Sequence, residues 1–298
     1  MIAPAEHGGR CFGTDWRSDL DLTLFDRATP VIDRGAIRIW LTPTLQDRTL
    51  QRISPRVERA ADGFRLRWQD EAIFDAYADG QVAVVPGEQW RGTLPIAFYS
   101  TVAALLLAAQ GLLPMHMSSV VIDGHAWLIG GAGGAGKSSL AAELVAGGAQ
   151  FLADDLTVLH PQAGQLLAAR GRPSMRLYPA MAERIDHDLD PAIADDDRGK
   201  RLIRPRHRAA DDRYPIGGIV ILNDDAPTPA SGPDKLRLLS QNIFRPRIVR
   251  QMPAIATIHR HLLSLAQVQN VAVLPQPAGQ GLTEAAVRMR QLFAIGEG

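Results

Sequence analysis

Apolar and polar positions change rhythm along this chain. Up to about residue 95, apolar residues alternate with polar ones in short runs, as in Ala36–Leu41 (AIRIWL), Gly63–Trp68 (GFRLRW) and Gln81–Val85 (QVAVV). A period of two, interrupted by Pro, Gly and Asp, predicts strands of a small mixed or antiparallel sheet. Phe64, Leu66 and Trp68 fall on one face of such a strand, Arg65 and Arg67 on the other. Leu94–Leu113 then reads as a helix. Its apolar part, Ile96–Leu113, spans about eighteen residues and includes Ser100, Thr101 and Gln110, which fits a buried helix better than a membrane span.

Beyond it, Val120–Ile122 and Ala126–Ile129 flank Asp123-Gly124-His125 and predict a hairpin. The spacing of Leu140, Ala141, Leu144 and Val145 predicts a helix over Lys137–Val145, stopped by Gly147-Gly148. Gln150–Ala153, Ile216–Leu222 and Val271–Leu274 read as strands, Ala254–Val268 and Thr283–Ile295 as helices. Asp224–Pro229 reads as a turn-rich loop. This alternation predicts an α/β domain over residues 96–298, with a smaller β-rich accessory domain over 1–95.

Between the second hairpin strand and its following helix lies Gly131-Ala132-Gly133-Gly134-Ala135-Gly136-Lys137-Ser138, which fits the phosphate-binding pattern G-x-x-x-x-G-K-[ST]. Glycines let the backbone wrap a polyphosphate so that successive N–H groups point inward. Lys137 is a mobile charge for the outer phosphates, and Ser138 offers a hydroxyl to Mg²⁺. Ser139 extends the loop into the helix. The order strand, glycine loop, helix N-terminus is the one a phosphate site needs.

Composition narrows the partners. Thirty-two basic residues balance thirty-two acidic ones, which argues against nucleic acid or an anionic membrane as a partner. Cys11 is the single cysteine, so an intrachain disulfide framework and a cysteine-based zinc site are excluded. With no basic start followed by an apolar core at the N-terminus, a cytoplasmic location is expected. His187 has no second histidine at ligand spacing, and His259 and His261 do not share a helical face.

Asp154 and Asp155 end the strand Gln150–Ala153. An acid at that position holds Mg²⁺ in P-loop proteins, and a second carboxylate beside the metal can take a proton from an attacking hydroxyl. His116 lies just before the first hairpin strand and is a candidate partner for these acids. Arg176, in a short strand-like run, is a candidate contact for a transferring phosphoryl group. Lys200 and Arg201, in the charge-rich stretch that begins Asp195-Asp196-Asp197-Arg198, could close over a nucleotide. Arg245, Arg247 and Arg250 could meet phosphate or an acidic peptide, and read more simply as surface charges.

The ordered set Met115-His116, GGAGGAGKSSLAAELVAGGAQ and Leu152-Ala153-Asp154-Asp155 resembles the HPr kinase/phosphorylase family, closely over residues 112–160 and more loosely over the rest of the C-terminal part. The resemblance implies a nucleotide domain similar to that of phosphoenolpyruvate carboxykinases, using ATP and Mg²⁺ to phosphorylate a protein serine. It makes Asp154 the base, Asp155 the metal-binding partner of Ser138, and His116 the residue that orients the base. Ser139 stands where those enzymes carry a glutamate near the metal. Their downstream signature rich in Glu, Arg and Gly is missing, so the reverse phosphorylase reaction is not expected. Residues 1–95 are unlike their N-terminal domain, and the layout is closer to HPr-kinase-like proteins of bacterial peptide-modification clusters. The expected acceptor is therefore a serine of a peptide or protein, such as a lasso-type precursor. A small hydroxyl compound, or a nucleotide-dependent switch without an acceptor, is the alternative. The family forms hexamers, which leaves a homo-oligomer open.

Overall fold

The computed structural model describes residues 6–29, 35–189, 199–223, 228–276 and 281–294. Among these the chain is a mixed α/β protein with two nine-stranded sheets and a three-stranded one. The first sheet uses residues 7–86. In spatial order its strands are Asp26–Arg27, His7–Cys11, Thr14–Ser18, Ile37–Leu41, Gln81–Pro86, Ala72–Tyr77, Gly63–Trp68, Val57–Ala60 and Gln51–Arg52.

The strand Gly63–Trp68 departs from its predicted two-faced pattern, because Arg65 is buried along with Phe64 and Leu66. Asp75 lies directly across the sheet from Arg65, and the guanidinium donates to its carboxylate at 2.8 Å. Arg48 donates to the other oxygen at 2.5 Å. Two cations sharing one buried carboxylate replace the solvent that this face would otherwise need.

Helical residues 98–109 lie between the first and second sheets. A π-helical turn, Phe98–Val102, passes into the α-helix Ala103–Ala109, and every residue of the α-helix is buried. AALLLAA has no polar face, so such a helix is stable only when covered all round. Phe98 packs against Trp16 and Phe74, and Tyr99 against Phe25. On its other side the helix meets the strand Leu113–Met115 and the helices Pro246–Val249 and Ile255–Val268. One apolar cluster thus continues from the first sheet into the second. The helix is shorter than the predicted Leu94–Leu113. No helix among the described residues is long and apolar enough to cross a membrane.

The second sheet runs Leu113–Met115, Thr157–Gln162, Gln165–Ala169, Arg213–Asn223, His125–Gly131, Ser118–Ile122, Gln150–Ala153. Val271–Pro275 pairs in parallel with the far end of Arg213–Asn223. That long strand therefore has Gln165–Ala169 beside its start and Val271–Pro275 beside its end. Ser118–Ile122 pairs antiparallel with both His125–Gly131 and Gln150–Ala153. Those two strands consequently point the same way and end on the same edge. The helices Lys137–Ala146 and Gly281–Ala294 cover one face through a second apolar cluster. Met175–Leu177, Arg201–Pro205 and His187–Leu189 form the small sheet. The acidic run at residues 195–197 and the turn at 224–227 lie outside the described residues.

Candidate functional site

The shared strand direction decides the site. Gly131 ends one strand and Ala153 the other, so the glycine loop and the Asp154-Asp155 pair emerge side by side, with Ser118 at the start of the strand between them. The loop turns through Gly134 and Gly136 at φ 87° and 94°, values that a side chain would oppose. Gly136 caps the helix Lys137–Ala146 without a side chain, which leaves the first-turn N–H groups directed outward. Ala132, Gly133 and Gly134 are exposed at the tip, while Gly131 and Ala135 are buried at the base. Lys137 is folded back, its ammonium donating to the carbonyls of Gly131 at 2.8 Å and Ala132 at 3.0 Å. Burial lowers its pKa, with Lys200 adding to the effect and Asp155 and Asp154 opposing it. Both carboxylates and Lys200 are therefore within electrostatic reach of this ammonium.

The two aspartates have different surroundings. Asp154 is buried. Its Oδ1 accepts from Ser138 Oγ at 2.8 Å and Ser118 Oγ at 2.7 Å, and its Oδ2 from the Arg176 N–H at 3.1 Å. Asp155 stands at φ 68°. This left-handed residue ends the strand and turns the second carboxylate away from the first. Its side chain is 44% exposed, with Oδ1 at 3.3 Å from His116 Nδ1. The same nitrogen lies 3.0 Å from the Asp155 carbonyl oxygen, so Nδ1 carries the proton in either contact. Desolvation raises the Asp155 carboxyl. The His116 hydrogen bond and the charges of His116, Arg172 and Lys137 outweigh it and hold the group below the usual carboxylate range.

The expected division of labour between the acids does not match these contacts. Asp154, expected to stand ready as a base, is the carboxylate bonded to Ser138 and is closed in by three donors. Asp155, expected beside Ser138, is the open one paired with His116. The backbone N–H of Arg176 reaches the site, donating to Asp154 Oδ2. Ser139 is half-buried in the first helical turn.

Three further residues belong to the site. Ser118 ties its strand to Asp154 through its hydroxyl. Asn242 is buried; its side-chain Oδ1 accepts from the Gly131 N–H at 2.7 Å and its Nδ2 donates to Leu238 O at 2.8 Å, while its backbone carbonyl accepts from the His116 backbone N–H at 2.7 Å. One residue so braces both the glycine loop and His116. Arg172 is buried, its Nε has no hydrogen-bond partner among the described residues, and its charge acts on Asp155. Arg172 stands four residues before Arg176 in the same stretch, and nothing in the sequence singles it out. Asn242 is far from the loop in sequence, and nothing local marks it.

A hard divalent cation takes oxygen donors and keeps several waters, using one or two side chains together with phosphate oxygens. Ser138 Oγ and Asp154 are such a donor pair. Among the described residues no group of three or more His, Cys, Asp or Glu is arranged to hold a metal ion.

No family model and no curated protein matches this sequence. Among solved structures, the chain is similar to the HPr(Ser) kinase/phosphatase from Coxiella burnetii, at 17% identity and a TM-score of 0.34, over 62% of this chain and 99% of that one. A likeness of that degree carries no weight for function.

Proposed function

We propose that this protein is an ATP- and Mg²⁺-dependent kinase that transfers the γ-phosphoryl group to a hydroxyl, in the first place a serine of a peptide or protein. The observation that carries the reading is the pairing at one sheet edge. A glycine loop with Ser138 bonded to a buried acid stands next to a second, open acid held by a histidine. A protein that only bound a nucleotide would need the first acid and not the second.

In this reading the loop amides, the first-turn N–H groups and Lys137 bind the phosphates, Lys137 leaving the carbonyls of Gly131 and Ala132 to do so. Ser138 and Asp154 would hold Mg²⁺, which supplies charge neutralisation on the phosphates. Asp155 takes the proton of the acceptor hydroxyl, whose oxygen forms the new bond to the γ-phosphorus as the bond to ADP breaks. His116 orients Asp155, and Arg172 adds positive charge behind it. The roles of the two aspartates are thus exchanged relative to the sequence expectation.

Incubation with γ-labelled ATP, Mg²⁺ and serine-containing acceptors tests this. Asp155→Asn should lower transfer by about 10²–10⁴-fold with nucleotide affinity kept, and Asp154→Asn should lose Mg²⁺-dependent nucleotide affinity. If Asp154→Asn alone abolishes transfer with affinity intact, the exchange of roles is wrong. Free phosphate as the only product, with any acceptor, would replace the kinase by a nucleotide-hydrolysing switch.

A further inference from the structure

A cleft lined by none of the residues of this site is not used by the mechanism. It has a volume of about 310 Å³ and opens between the first sheet and the short helix Pro246–Val249. Its floor is apolar, made by Val57, Leu66, Trp68 and Ile248, and its rim carries Arg56 and Arg245. Both arginines are exposed, and among the described residues no acid lines the cleft. The Arg56 guanidinium stacks on the Trp68 ring at 4.9 Å. Arg245 is held at φ 45°, with Nε donating to Thr101 Oγ1 at 3.3 Å. A bulky residue kept in this backbone region is unusual and marks a position fixed by its surroundings.

The cleft connects to the reacting groups through a short chain of contacts. Arg245 follows Phe244, whose ring packs against that of His116 with centroids 5.9 Å apart. His116 holds Asp155. The cleft is therefore linked to Asp155 through Arg245, Phe244 and His116.

We propose that this cleft recognises the acceptor, and that the acceptor is a peptide segment with an acidic residue and an apolar residue near its serine. The apolar side chain would lie on Trp68, Leu66 and Ile248, and the carboxylate between Arg56 and Arg245. A cleft of this size holds a few side chains, and two cations with no opposing acid select for negative charge. The inference rests on the kinase reading for its meaning, though the binding it predicts is measured without transfer.

The test uses fluorescence polarisation with a labelled serine peptide rich in aspartate and leucine, and with the same peptide carrying asparagine or lysine for aspartate. The acidic peptide should bind at least about tenfold tighter than the asparagine form. The advantage should disappear in Arg56→Glu and in Arg245→Gln, with ADP affinity unchanged in both. In transfer assays these variants should raise KM and spare kcat. Equal binding of the three peptides, or an advantage that survives both substitutions, overturns the proposal. If wild type phosphorylates all three peptides equally, the kinase reading stands and the cleft is not its acceptor site. If the acidic peptide binds as stated but no label moves, the cleft stands and the kinase reading falls.

Discussion

Asp155 carries its carboxylate on a backbone turn that most residues avoid, at a cost of about 1 kcal/mol. What it gains is direction. With both neighbours extended, the two acids would simply alternate across the strand, whereas the left-handed residue turns the second one to His116. The resulting depressed carboxyl adds stability that is present above the ordinary carboxylate pKa and is lost as pH falls through the lower native value. His116→Ala removes the hydrogen bond and charge that oppose desolvation, so the Asp155 carboxyl rises. The acid limb of kcat/KM should move to higher pH, and the rate at neutral pH should fall by about 10–100-fold. An acid limb that stays in place in this variant would show that the imidazole does not act through Asp155.

At the scale of the element, the glycine loop depends on a residue from the other end of the chain. Asn242 follows the helix Gly232–Gln241 and reaches back to Gly131. Asn242→Ala strands a buried N–H and should destabilise the protein by about 1–3 kcal/mol, read by denaturant unfolding, with weaker nucleotide binding. Unchanged stability together with unchanged nucleotide binding would refute the bracing role. This dependence also shows what was legible beforehand. The strand Ala126–Ile129, the hairpin at Asp123-Gly124, the helix from Lys137 and the strand Gln150–Ala153 carry strong local patterns, and all four lie where the periodicity put them. Local pattern has no access to Asn242 or to Ser118, whose contributions come from strand order. Nor does it show that Arg65 is buried, since the cause is Asp75 on the neighbouring strand. The hairpin Thr157–Gln162 and Gln165–Ala169 went unread, because its alternation is broken by Pro161 and a run of small residues.

At the scale of the molecule, the two large sheets are tied by polar contacts as well as by apolar packing. Phe12 N–H donates to Arg170 O at 2.8 Å, and His160 Nε2 donates to the Phe12 carbonyl at 2.6 Å. Burial, aided by the charge of Arg213 and opposed by the Phe12 bond, brings His160 down from 6.5 to about 4. The neutral ring is therefore the one the fold accepts. The stability it supports is complete above pH 6.5 and declines as pH falls toward 4, by about 3 kcal/mol in all. His160→Gln keeps a donor for the Phe12 carbonyl and does not titrate. Its unfolding free energy should fall less than that of the wild type between pH 6.5 and 4, and parallel curves would exclude the histidine as the cause.

The helix Ala103–Ala109 has a further consequence for how such a chain can change over time. Having no polar side, it needs cover from the first sheet on one flank and from the second on the other. Residues 7–86 are then not an appendage that a descendant could shed or exchange for another module. A lineage that lost them would first have to rewrite Phe98, Tyr99 and the leucines behind them as polar residues, and it would lose one wall of the cleft at Arg56 and Arg245 in the same step.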